Sequence, residues 1–240
     1  MNKLIGTTII ALFIFIFTNQ TSAQGTSWSG PLSFGVSTGA AIYMGDLTDA
    51  NANPWLPFSK DVNFSVAGFF AKELGPLSLR FQMNLGGLKG YDYRADERFS
   101  NNFYEYNGSV SLNINHLIHL NDYRNPGYNF YLLGGYGMMR YSSYLTDLSQ
   151  TTTIREIGYA KIGRANTIIL GAGVKVNIAD RINFLGEFTT HLSNNDDIDT
   201  VIENGDNDSY YYISLGLSYD ILGSSKGGTR HRKSLRWGRF

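Results

Sequence analysis

The chain has 240 residues, room for one good-sized domain, and no cysteine, which excludes disulfides, a thiolate metal site and a lipid-modified cysteine. Charged residues make up only 17%, below the ~25% usual for soluble domains. Tyr (16) far outnumbers Trp (3) and Gly reaches 27, a balance that suits a sheet with one face turned to lipid.

The start reads as an export signal. Lys3 supplies a positive n-region, Leu4 to Phe17 an apolar run, and Thr21-Ser22-Ala23 a small-residue cleavage site before Gln24. The run is shorter than the ~20 residues that a spanning helix needs. Residues 1–23 are therefore expected to be a cleaved signal peptide, and 24–30 a short lead.

Alternation with period two then predicts eight strands in order. They fall at about 31–43, 62–73, 77–85, 104–115, 127–141, 167–178, 180–190 and 210–221. The fourth shows the pattern best: Glu105, Asn107, Ser109, Ser111 and Asn113 alternate with Tyr104, Tyr106, Gly108, Val110, Leu112 and Ile114. Connections alternate as well. Those at 74–76, around 121–126 and at 179–180 are short, whereas 44–61, 87–102, 142–164 and 191–208 are long. Short turns on one side and long loops on the other are the mark of an up-and-down barrel in an outer membrane. An even strand number places both termini in the periplasm. The expected fold is thus all-β: an eight-stranded antiparallel transmembrane β-barrel over residues 31–222.

A soluble lipocalin-type barrel also alternates, but its solvent face needs many Lys and Glu. Here the polar face holds Gly, Ser, Asn and sparse charges. Arg80, Glu105, Lys175, Arg181 and Glu187 fall on it and are expected to pair inside the lumen, since Arg or Lys at mid-depth on the lipid face costs ~2–4 kcal/mol. Gly86-Gly87 and Gly134-Gly135 have no strand-to-helix context and read as barrel glycines. Tyr43, Tyr104, Tyr106, Tyr141, Tyr144 and Tyr210 to Tyr212 are expected at the long-loop interface, with Tyr128 and Tyr219 near the turns.

The segment Gly39-Ala40-Ala41-Ile42-Tyr43-Met44-Gly45-Asp46-Leu47 resembles the small outer-membrane β-barrels of Bacteroidetes-type bacteria, which are related to the OmpA transmembrane domain. So do Ser193-Asn194-Asn195-Asp196-Asp197-Ile198-Asp199, Asn207-Asp208-Ser209-Tyr210 and Leu215-Gly216-Leu217-Ser218-Tyr219. The Tyr-x-Gly-Asp-Leu start, Tyr43 to Leu47, is similar to the PorG-like subset, which belongs to the type IX secretion and gliding apparatus. The resemblance implies an envelope accessory without enzymatic activity. No OmpA-type peptidoglycan-binding domain is expected after residue 222.

Two chemical alternatives stand beside it. His191-Leu192-Ser193-Asn194 resembles the His-x-Ser-Asn motif of outer-membrane lipid A deacylases, which implies His191 as base to Ser193, with Glu203 as the orienting acid. The small residue and Asn-Pro-Gly turn of that family are missing. Strand parity also places His191 and Ser193 in the lumen, unless the strand ends at Thr190. The acids Asp196, Asp197, Asp199, Glu203, Asp206 and Asp208 lack EF-hand spacing and read as a solvated loop. His116 and His119 would point to opposite faces of a strand. No metal or cofactor is expected.

The tail 223–240 carries Lys226, Arg230, Arg232, Lys233, Arg236 and Arg239 without an acid, leaving residues 24–222 a net charge of −7. Ser224 to Gly228 reads as a flexible linker. Arg230, Arg232, Lys233, Arg236 and Trp237 then form a segment that could dock on a periplasmic or outer-membrane protein, touch anionic lipid, or do nothing; docking is favoured. An envelope location speaks against nucleic acid.

Overall fold

The computed structural model describes residues 29–44, 62–92, 97–115, 127–147, 153–157, 163–195, 198 and 208–222. Strands are β1 (Ser29–Met44), β2 (Val62–Leu74), β3 (Leu77–Asp92), β4 (Glu97–Asn113), β5 (Tyr128–Asp147), β6 (Thr153–Ile157), β7 (Gly163–Ala179), β8 (Ile182–Ser193) and β9 (Ser209–Leu222). The expected signal peptide and the tail lie outside the described residues.

Eight strands close on themselves. Each of β1–β5 and β7–β9 pairs antiparallel with both neighbours, the circle being completed by β4 with β5 and β1 with β9. Closure removes the sheet edges that would otherwise expose unpaired backbone. The ninth strand, β6, lies only against the far end of β5. The two-residue turns after β2 and β7 share one end of the barrel with the β4–β5 connection, which runs over residues 114–127 and is longer than the short turn expected around 121–126. Leu74 faces Leu77 across Gly75-Pro76, where Gly75 takes φ 61°. A two-residue hairpin needs a positive φ there, and glycine adopts it without Cβ strain.

Outward and inward faces follow the alternation. Phe34, Val36, Phe64, Phe81, Leu85, Leu132, Tyr136, Leu170 and Leu215 are exposed, whereas Ser33, Ser65, Gln82, Asn84, Asn107, Thr167 and Ser214 are buried. Polar inside and apolar outside is the reverse of a water-soluble barrel. On the outward face, Lys72 marks the turn end and Arg98, Arg140 and Arg164 the other. The strand residues facing outward between the levels of Lys72 and Arg140 carry no charge, while Lys89, Arg98 and Glu156 lie beyond that level.

Two expectations are corrected. Residues 87–92 and 97–102, read as a long loop, continue the β3–β4 ladder without a slip to Asp92 opposite Glu97. β5 likewise runs to Asp147 and is joined by β6. Ser100, Asn101 and Asn102 show no apolar alternation because strands that rise into water need none, while their backbone pairing continues. The tyrosine girdle is also split. Tyr43, Tyr141, Tyr210 and Tyr212 are buried inside the barrel, so only Tyr104, Tyr106, Tyr144, Tyr211, Tyr128 and Tyr219 remain at outward positions.

Candidate functional site

The lumen is filled in layers. At the turn end, Ser33 Oγ donates to Asp220 Oδ1 (2.7 Å) and Asn183 Nδ2 donates to the same oxygen (3.2 Å). The Lys175 ammonium pairs with Glu73 across the lumen. A cavity of about 60 Å³ lies here, bordered by Ser33, Glu73, Ser111, Tyr131 and Lys175. That is room for a few waters and little more.

Above it sits a buried ion pair, Arg80 Nη1 to Glu187 Oε1 at 2.5 Å. The Tyr131 hydroxyl donates to the same carboxylate oxygen, and the Arg80 guanidinium lies 4.6 Å from the Phe69 ring centroid. Both aromatic rings fit because glycines face them. A Cβ on Gly173 would fall 2.6 Å from the Tyr131 ring, and one on Gly35 would fall 2.2 Å from Phe69.

The next layer centres on Glu105, which has no solvent exposure. Its Oε1 accepts from Asn84 Nδ2 (3.1 Å) and Asn107 Nδ2 (2.8 Å). Its Oε2 accepts from Thr167 Oγ1 (3.0 Å), the Tyr210 hydroxyl (2.8 Å) and His191 Nδ1 (3.1 Å). Assigning the imidazole proton to Nδ1 lets Thr189 Oγ1 donate to Nε2 at 3.0 Å, so both ring nitrogens are satisfied. The His191 and Tyr210 rings stack with centroids 4.4 Å apart. One carboxylate thereby ties together β3, β4, β7, β8 and β9.

The long-loop end of the lumen is mainly apolar. Leu88, Phe99, Phe103, Met139, Tyr141 and Leu145 pack with Ile198, which folds back from the β8–β9 connection. Asp208 anchors that connection: its Oδ2 accepts the Ile198 N–H (2.9 Å), and its Oδ1 accepts from the Tyr43 hydroxyl. Asn101 Nδ2 donates to Ser143 Oγ (2.6 Å), and both side chains reach the Ile198 carbonyl.

Of the five charges assigned to the lumen, four lie there. Arg80 and Glu187 meet each other, while Glu105 and Lys175 find His191 and Glu73, partners the alternation did not single out. Arg181 does not belong to the set. It lies in the two-residue turn between β7 and β8, exposed, with Nη1 3.5 Å from the Tyr219 hydroxyl. A turn residue escapes strand parity, which is why counting along the strand misplaced it.

The deacylase-like constellation is not assembled. β8 continues to Ser193, so parity holds and both His191 and Ser193 are buried in the lumen. The partners of His191 are Thr189, Glu105 and Tyr210, whereas Ser193 Oγ accepts the Asn195 N–H at 3.0 Å. Glu203 lies outside the described residues, as do Asp196, Asp197, Asp199 and Asp206. So do His116, His119, Arg230, Arg232, Lys233, Arg236 and Trp237. Among the described residues no group of three or more His, Asp or Glu could hold a metal.

Fold and filling together define a closed eight-stranded barrel of the outer-membrane kind. No family model matches the chain, and a search of curated proteins finds no match. Among solved structures, Neisserial surface protein A is similar at 13% identity, with 80% of this chain and 98% of that one covered and a TM-score of 0.47. Ail, the attachment invasion locus protein of Yersinia pestis, is similar at 11% identity over 79% and 97%, with a TM-score of 0.43. A major outer membrane protein from Thermus thermophilus is similar at 12% identity over 78% and 98%, also with a TM-score of 0.43.

Proposed function

We propose that the chain spans the outer membrane as a sealed barrel and serves the envelope without enzymatic activity, as a structural element that scaffolds partners. One observation carries this reading: an apolar outer face, uncharged between the levels of Lys72 and Arg140, surrounds a lumen that is hydrogen-bonded and filled. Leaving such a face in water costs ~25 cal/mol per Å². Hydrocarbon is the medium it fits. Among the described residues the filled lumen leaves neither a channel nor a reactive group open to substrate, and eight strands enclose just enough space for side chains.

In this reading the long-loop end faces out and both termini lie in the periplasm, from which the basic tail docks on an acidic partner. The motif Tyr43 to Leu47 supports a place beside the type IX secretion machinery. An alternative role as a lipid A hydrolase has no geometric support, because His191 and Ser193 turn away from lipid.

Gel migration of the envelope fraction, with and without boiling, tests the membrane reading. A band in the outer-membrane fraction that shifts on boiling is expected; a soluble periplasmic protein without a shift contradicts it. Truncation at Leu222 should then remove co-purifying proteins while the shift persists.

A further inference from the structure

Arg140 on β5 and Arg164 on β7 stand directly opposite one another in the strand register. Both face outward, since their neighbours Met139, Tyr141 and Ala165 are buried in the lumen. Like charges directly opposite on adjacent strands repel, their Cβ atoms being only ~4.5–5.5 Å apart. Among the described residues neither arginine is in an ion pair. Arg140 Nη1 reaches the Tyr104 hydroxyl at 3.4 Å, its guanidinium lies 6.0 Å from the Tyr104 ring centroid, and its buried Nε–H has no hydrogen-bond partner. Two cations held side by side favour an anion between them.

Their level in the barrel says which anion. Below the pair, towards the turn end, the same outward faces carry Met138 and Tyr136 on β5 and, after Asn166 opposite Met138, Ile168 and Leu170 on β7, the four apolar side chains all exposed. Above it, the neighbouring outward positions hold Asn102 opposite Ser142. The two guanidinium groups thus sit where the apolar belt gives way to polar side chains. At this level a charge costs little, and planar Arg forks match phosphate oxygens.

We infer that the β4–β5–β7 face, through Arg140 and Arg164, binds the phosphate of a phosphorylated lipid in the leaflet at the long-loop end. The acyl chains lie on Met138, Ile168 and Leu170, and the Tyr104 hydroxyl with the Asn102 and Ser142 side chains supplies flanking hydrogen bonds. The inference rests on the membrane-spanning reading above.

The test reconstitutes the full barrel and the double variant Arg140→Gln/Arg164→Gln into phosphatidylcholine vesicles. These are doped either with a diphosphorylated glucosamine-disaccharide lipid or with its dephosphorylated form, and lipid retained after detergent extraction is read by native mass spectrometry. The parent should retain the phosphorylated lipid preferentially. Each arginine removed should lower that retention about fivefold, the pair about 25-fold, with the boiling-sensitive gel shift intact in both proteins. Equal retention by parent and double variant, or equal retention of both lipids, overturns the site while leaving the barrel standing. Displacement by millimolar inorganic phosphate alone would mean a free-anion site and overturn the lipid assignment. Failure of the parent to enter vesicles would strike at the membrane reading itself, and the lipid site would fall with it. The variant Arg140→Lys/Arg164→Lys keeps both charges and is expected to retain most of the binding.

Discussion

The two halves of the lumen solve the same packing problem with opposite chemistry. At the turn end, space is filled by charged groups whose partners come from distant strands: Arg80 with Glu187, Lys175 with Glu73. At the long-loop end it is filled by Leu88, Phe99, Phe103, Met139 and Ile198. Glu105 lies between the two and gathers hydrogen bonds from five residues. Dispersion contacts in the apolar half are many and individually small, so they degrade gradually. The charged half depends on a few matched pairs and fails when one member is lost.

The sharpest break should come at the boundary. Glu105→Ala leaves His191, Tyr210, Thr167, Asn84 and Asn107 without their shared acceptor, and should cost about 3–5 kcal/mol. A urea titration in lipid vesicles, followed by the boiling-sensitive gel shift, would read it as a strongly lowered midpoint. Next in size is Arg80→Met, at about 3 kcal/mol, since it strands a buried Glu187 carboxylate. Adding Glu187→Met should recover all but about 1 kcal/mol of that loss. A double variant as weak as the sum of the singles would contradict the pairing. Gly173→Val should follow at about 1–3 kcal/mol, because the new Cβ meets the Tyr131 ring that braces Glu187. Smallest is Phe99→Leu in the apolar half, expected to stay under about 1.5 kcal/mol by the same titration. An apolar plug that collapsed on so mild a change would erase the contrast between the halves.

Much of this was legible in the residues. Strand parity alone places Glu105, Glu187 and Lys175 inside, and Phe81, Leu132 and Leu170 outside, because a pleated strand turns successive side chains to opposite faces. Parity says nothing about which residues meet across the lumen. His191 lies 86 residues from Glu105 in the chain, and only closure of the barrel brings the two together. Tyrosine was ambiguous for a related reason. Its ring suits an interface, yet Tyr43 and Tyr210 are at inward positions where Asp208 and Glu105 accept from their hydroxyls. Arg181 was misplaced because a turn suspends the alternation. Alternation also ends where lipid ends, so the hairpins that carry Ser100 to Asn102 look like loop. Arg140 and Arg164 fall at outward parity just beyond Met138 and Asn166, but only the strand register sets the two side by side.

The central claim is that an apolar outer face meets hydrocarbon while the lumen is closed. The chain has no cysteine, so any cysteine introduced is unique and can carry a spin label. A residue-by-residue scan of β5 from Phe130 to Met139 in lipid vesicles, read by accessibility to oxygen against a water-soluble nickel complex, tests it most directly. High oxygen accessibility at Phe130, Leu132, Gly134, Tyr136 and Met138, with neither reagent reaching Tyr131, Leu133 and Met139, is the expected result. Nickel access at the first set, or at the second through an open lumen, would contradict the account.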